Sequence, residues 1–182
     1  MGVRADRRQS VLDAALALVE SGQPVTISAL TARSGVSNGS IYHHFGNRAG
    51  VFSVLYGDSF TRCVTAMTPA LAAGDAQKVV RGLAVRYLDW VAEHPGRARF
   101  LYSAPLTADP TAKAAAFAPV AQWFAERMAT GEVREFPLWA LDPVVMGPAH
   151  ECARRYLLGG FDLASSRDVV ADAVWGAVSP LG

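Results

Sequence analysis

Cysteine is almost missing from this chain: Cys63 and Cys152 are the only two in 182 residues. Two thiols are too few for a disulfide framework, and neither stands in a paired metal-ligand spacing, so reduced thiols and no metal site are expected. Long apolar runs are missing as well. The longest, Ala14 to Val19, falls far short of the roughly 20 residues that a membrane helix needs, so no membrane partner is expected. Met1 to Gln9 carries Arg4, Arg7 and Arg8 with no apolar stretch of signal-peptide length behind them, and the expected location is the cytoplasm. Charge is sparse, at 18% of residues against 51% hydrophobic, which excludes a disordered chain and gives a folded domain with a real core. A net charge of +1 argues against coating nucleic acid by bulk electrostatics. The basic residues are nonetheless uneven: residues 1–48 carry a net +2 and the remainder a net −1.

What the chain does have is helical periodicity from end to end. Leu12, Ala15, Leu16 and Val19 fall at i, i+3, i+4 and i+7, the apolar stripe of a helix from about Arg7 to Glu20. Thr26 is a plausible N-cap for a short second helix, Gly35 stands where a helix end needs a left-handed residue, and Ser37 caps a third helix running to Phe45. Phe52, Leu55, Tyr56, Phe60, Cys63 and Met67 trace a fourth helix from Arg48 up to Pro69. Val80 to Val91 repeats the pattern, and a short helix is expected over Arg97 to Ser103. Pro105 to Pro110 reads as a loop, Thr111 to Thr130 as a helix, and Gly131 to Pro143 as a connection. Val144 to Leu158 and Arg167 to Val178 are the last two helices. Alternating strand patterns are lacking, so the fold class is all-α.

The informative stretch is Thr26 to Arg48. A helix, a glycine turn and a second short helix form the arrangement that sets a recognition helix into the DNA major groove. Ala29 and Ala32 are small enough for close helix crossing, Val36 plugs the space between the helices, and Ile41 and Phe45 face inward at i and i+4. That leaves Ser37, Asn38, Gly39, Ser40, Tyr42, His43 and His44 to be divided between the groove and its walls.

These residues resemble the TetR family of one-component transcriptional regulators. The match runs in order through Thr26-Ile27, Ala32, Gly35-Val36-Ser37, Ser40-Ile41-Tyr42, His44-Phe45 and the basic residue Arg48. The resemblance implies that Tyr42, His44 and Arg48 hold phosphates and that Thr26 and Ser28 touch the DNA backbone. It places Asn38, Gly39, Ser40 and His43 nearest the bases. The family usually has Lys where this chain has Arg48, which keeps the charge, and Gly39 offers no side chain to read a base. Beyond Arg48 the resemblance is to the family's helical regulatory domain. It implies that the last two helices, about 144–160 and 167–178, pair with those of a second copy, while the helices before them enclose a small-molecule pocket.

Other patterns point elsewhere and are weighed against plainer readings. Gly35-Val36-Ser37-Asn38-Gly39 spells the G-x-S-x-G of a hydrolase nucleophile elbow, but that elbow must follow a buried strand, and a helix stands there instead. Adjacent His43 and His44 diverge by about 100° on a helix and lack a third metal ligand. His150 and Cys152, at i and i+2, do not face each other as a catalytic pair would. Arg154-Arg155 reads as a solvated face or a dimer salt-bridge surface rather than an anion site. Tyr87, Trp90, Phe100, Tyr102, Trp123 and Phe124, with His150, are either pocket lining or plain core.

The expected domains are 1–47 for DNA binding and 48–182 for ligand binding and dimerisation. The expected function is a homodimeric repressor on a palindromic double-stranded DNA operator, released by an apolar or aromatic effector. The alternatives are a DNA-binding dimer without an effector and a helical small-molecule-binding enzyme, for which no catalytic constellation is found. No cofactor is expected.

Overall fold

The computed structural model describes residues 2–103 and 110–180, with side chains from Asp6 onward except those of Pro110 and Ala112. Among them there is no strand, and the chain is all-α. The expected loop from Pro105 onward lies outside the described residues up to Asp109; Pro110 already opens a helix. The helices are α1 (Gly2–Glu20), α2 (Ile27–Ser34), α3 (Asn38–Phe45), α4 (Arg48–Met67), α5 (Ala76–Glu93), α6 (Pro95–Ser103), α7 (Pro110–Ala129), α8 (Gly147–Leu157) and α9 (Leu163–Gly176). None is long and apolar enough to cross a membrane.

The chain forms two compact units, one of residues 1–60 and 96–113, the other of residues 61–95 and 114–182. In the first, α1, α2 and α3 pack on one another around Val11, Leu12, Leu18, Leu30, Val36, Ile41 and Phe45. Val51, Leu55 and Tyr56 of α4 and Phe100 of α6 complete that core. Val36, Ile41 and Phe45 are buried as their spacing predicts, whereas Ala32 is exposed.

In the second unit α5 packs on α8 and α9, and α8 on α9. Val79, Val80, Leu83, Ala84, Tyr87, Leu88, Trp90 and Val91 of α5 are buried, the double stripe of a helix enclosed on a wide face. Ion pairs hold its edge to α9: Arg81 meets Asp172, and Arg167 donates to Asp89 at 2.5 Å. Several boundaries differ from the sequence expectation: α1 begins at Gly2 rather than about Arg7, and α8 at Gly147 rather than Val144. Helix α9 starts at Leu163 rather than Arg167, because Asp162 caps it by accepting from the amides of Ala164 and Ser165 at 3.0 and 3.2 Å. The connection after α7 is partly helical, with a 3-10 turn at Leu138–Ala140 and a π turn at Leu141–Val145.

Candidate nucleic-acid interface

The geometry of the N-terminal module follows from three local choices. Thr26 has extended backbone angles and its hydroxyl accepts from the amide of Ala29 at 3.0 Å, which starts α2. Gly35, at φ +69°, ends α2 by donating its amide to the Thr31 carbonyl, in a left-handed conformation that favours glycine. Ser37 then accepts from the amide of Ser40 at 3.4 Å and starts α3. The serine of the elbow-like motif is a helix cap, and no strand precedes it.

Along α3 one face is core and the other is open. Ile41 and Phe45 are buried, whereas Asn38, Gly39, Tyr42 and His43 are exposed, with Tyr42 52% exposed. Ser40 and His44 are half-buried, and His44 sets its ring edge-on against both His43 and Phe45. Thr26, Ser28 and Ser37 are exposed as well. Arg48 is exposed at the start of α4, its guanidinium 5.6 Å from the centre of the Phe52 ring and donating to the Val25 carbonyl at 3.4 Å. The head of α4 is therefore brought next to the cap of α2, which groups Arg48 with Thr26.

Three features of this surface were not read from the sequence. Asn47 caps α4 by accepting from the amide of Gly50 at 2.9 Å. The Thr31 hydroxyl donates to the Asn38 carboxamide oxygen at 2.5 Å. A cleft of about 310 Å³ is lined by Asp6, Arg7 and Ser10 of α1 together with Ser34, Gly35, Val36, Ser37 and Ser40. The first has a sequence signal, an Asn before a helical run; the others depend on how the helices cross.

The residues expected around a ligand are divided between the two units. Phe100 is 1% exposed and packs against Phe52 and Tyr56 in the core of the first unit, with ring centres 5.7 and 6.5 Å away. Tyr102, also in that unit, is exposed at the end of α6. Tyr87, Trp90, Trp123, Phe124 and His150 belong to the second unit. There the Tyr87 hydroxyl lies 2.9 Å from His150 Nδ1, and His150 Nε2 lies 3.1 Å from Asp142 of the π turn. Trp123 and Phe124 meet edge to face, and Phe124 continues to Phe136. Asp142 escaped sequence reasoning because it reaches His150 across eight residues and a change of helix type. Arg154 and Arg155 both donate to Glu151 within α8, holding its carboxyl down at about 2.

Residues 11–55 match the family model described as bacterial regulatory proteins, tetR family. A comparison with curated protein sequences gives no match. Solved structures similar over nearly the whole chain include a Shewanella sp. PV-4 regulator assigned to the tetR family, 20% identical, covering 96% of this chain and 99% of that one with a TM-score of 0.81. A TetR family transcription regulator from Marinobacter aquaeolei VT8 is 15% identical, with 97% of each chain covered and a TM-score of 0.80. The transcriptional regulator FadR from Bacillus subtilis, solved in complex with stearoyl-CoA, is 14% identical, with 91% and 96% covered and a TM-score of 0.75.

Proposed function

From an N-terminal module that matches the TetR family, on a fold shared with TetR-family regulators, we propose that this chain is a ligand-responsive transcriptional repressor acting as a homodimer on a palindromic operator. The observation that carries the reading is α3 itself: a capped helix whose buried Ile41 and Phe45 turn Asn38, Gly39, Tyr42 and His43 outward. In this reading residues 1–47 bind DNA and residues 48–182 bind effector and dimerise. Two α3 helices enter successive major grooves about 34–36 Å apart. Asn38, Gly39, Ser40 and His43 face base edges, while Thr26, Ser28, Ser37, Tyr42, His44 and Arg48 hold the backbone, from which position is fixed but no sequence is read.

Dimerisation falls to α8 and α9. Support comes from Leu158 and Val169, which are 74% and 70% exposed in the single chain, apolar surface that a contact between copies would remove from water. The effector falls to the second unit, where Tyr87, Trp90, Trp123, Phe124 and His150 supply apolar area and a polar handle. Long-chain acyl-CoA thioesters are the first compounds to test, since the similar FadR of B. subtilis was solved in complex with stearoyl-CoA. An effector favouring a form with another spacing of the two α3 helices lowers operator affinity by the ratio of its affinities for the two forms.

The test is selection of genomic DNA fragments by the purified protein, followed by binding to the recovered site at two salt concentrations. Enrichment of a palindrome, weakened by salt as counterion release requires and lost in Tyr42→Ala, supports the reading. A folded protein that enriches no sequence overturns it.

A further inference from the structure

An asparagine at the head of a recognition helix has two ways to face a base. Its carboxamide rotates about a broad, roughly two-fold torsion, so that either the oxygen or the amino group can be presented. When both are presented together, adenine is the match: N7 accepts from the amino group and N6 donates to the oxygen. When only the amino group is free, guanine is favoured, because its N7 and O6 are both acceptors.

Asn38, the first residue of α3, is held by a neighbour. Thr31, one helix earlier, places its hydroxyl oxygen 2.5 Å from Asn38 Oδ1. Between two oxygens at that distance one must carry the hydrogen, and only the hydroxyl has one. The Thr31 carbonyl meanwhile accepts from the Gly35 amide at 3.0 Å, so that the residue closing the turn also orients the side chain beyond it. Thr31 is half-buried and Asn38 exposed, so the Nδ2 donors and the second lone pair of Oδ1 are what the carboxamide has left to offer a base.

We infer that Thr31 is a specificity-determining residue that acts through Asn38: by engaging one lone pair of Oδ1 it fixes the rotation of the carboxamide, and with it the base that Asn38 meets. Thr31 is a positioning residue, without base contact of its own. The inference rests on the reading of α3 as a recognition helix.

The probe is a random-sequence double-stranded DNA library, selected in parallel by wild type, Thr31→Val, Thr31→Ala and Thr31→Ser, followed by titration of the recovered site with guanine or adenine at the position that Asn38→Ala makes indifferent. Wild type and Thr31→Ser should prefer the same one of these two bases, by about fivefold or more. Thr31→Val and Thr31→Ala should lose that preference, while affinity for non-specific DNA and its salt slope stay unchanged. Val matches Thr in shape, and Ala is a better helix former at a half-buried site, so at least one variant folds. A recovered operator whose preference at that position is the same in all four proteins, or an Asn38→Ala variant that leaves every position's preference unchanged, overturns the role of Thr31 and leaves the regulator reading standing. A folded wild type that selects no sequence overturns both.

Discussion

The guanidinium of Arg48 donates to the carbonyl of Val25 at 3.4 Å, fastening the head of α4 to the residue that precedes the Thr26 cap. A phosphate resting on one would meet the other. Arg48→Ala should therefore weaken binding to every DNA sequence alike, and the slope of log affinity against log salt should drop by about 1. Titrations on a selected and a scrambled duplex at several salt concentrations check this; a loss confined to the selected duplex would count against a phosphate contact.

Leu158 caps the end of α8 and Val169 lies in the middle of α9, both exposed in the single chain. If these helices pair between copies, Leu158→Asp and Val169→Asp each place a carboxylate in an apolar contact and should convert the dimer to monomer at micromolar concentration. Light scattering with size exclusion reads the mass, and circular dichroism should show helix content retained. A wild type that is itself monomeric at high concentration would remove the basis for two-headed binding.

Burial pushes the Cys63 thiol up to about 12, so at neutral pH it is almost wholly protonated as well as enclosed. A thiol reagent should leave Cys63 unmodified in the native protein and modify both cysteines once the chain is unfolded by denaturant. Peptide mapping after brief labelling distinguishes Cys63 from Cys152; rapid native labelling of Cys63 would mean that α4 opens far more readily than its packing allows.

The two arginines beside Glu151 lower its carboxyl from an ordinary 4.5 to about 2. A depressed carboxylate adds stability that is fully present above about 4.5 and is lost as pH falls through about 2. Glu151→Gln removes that contribution, so its Tm should lie below the wild-type value at neutral pH and approach it in acid. Because Glu151 is exposed to solvent, the difference should also shrink in high salt. Thermal melts at neutral pH and at two steps down through the acid range, with and without salt, make the comparison.

Local signals carried the sequence reading a long way in the N-terminal module. Thr26, Gly35 and Ser37 act within four residues of themselves, so their chemistry is written in the order of residues, and the inward turn of Ile41 and Phe45 follows from helical spacing alone. The helix expected from Arg167 starts at Leu163 instead, because the side chain of Asp162 accepts from the first free amides of α9 and extends it by four residues. Periodicity also says that an aromatic is buried without saying against what. Phe100 and Tyr87 carry the same spacing signal, yet one joins the core beneath α3 and the other joins a histidine in the second unit. The pairs Thr31–Asn38 and Asp142–His150 depend on the angle at which successive helical segments meet, and no single-residue preference encodes that angle.

Gly50 stands in the first turn of α4, its amide bound by Asn47, and a Cβ built there would fall inside the carbonyl oxygen of Phe45, a backbone atom with nowhere to move. In a library covering every substitution in the module, position 50 should tolerate nothing larger than hydrogen, ranking beside any base-reading residue in the severity of its losses. Only a readout that separates abundance from operator binding would sort the two kinds of intolerance: substitution at Gly50 should remove the protein itself from the cell, whereas substitution at Asn38 should leave it present and send it to other addresses on the chromosome.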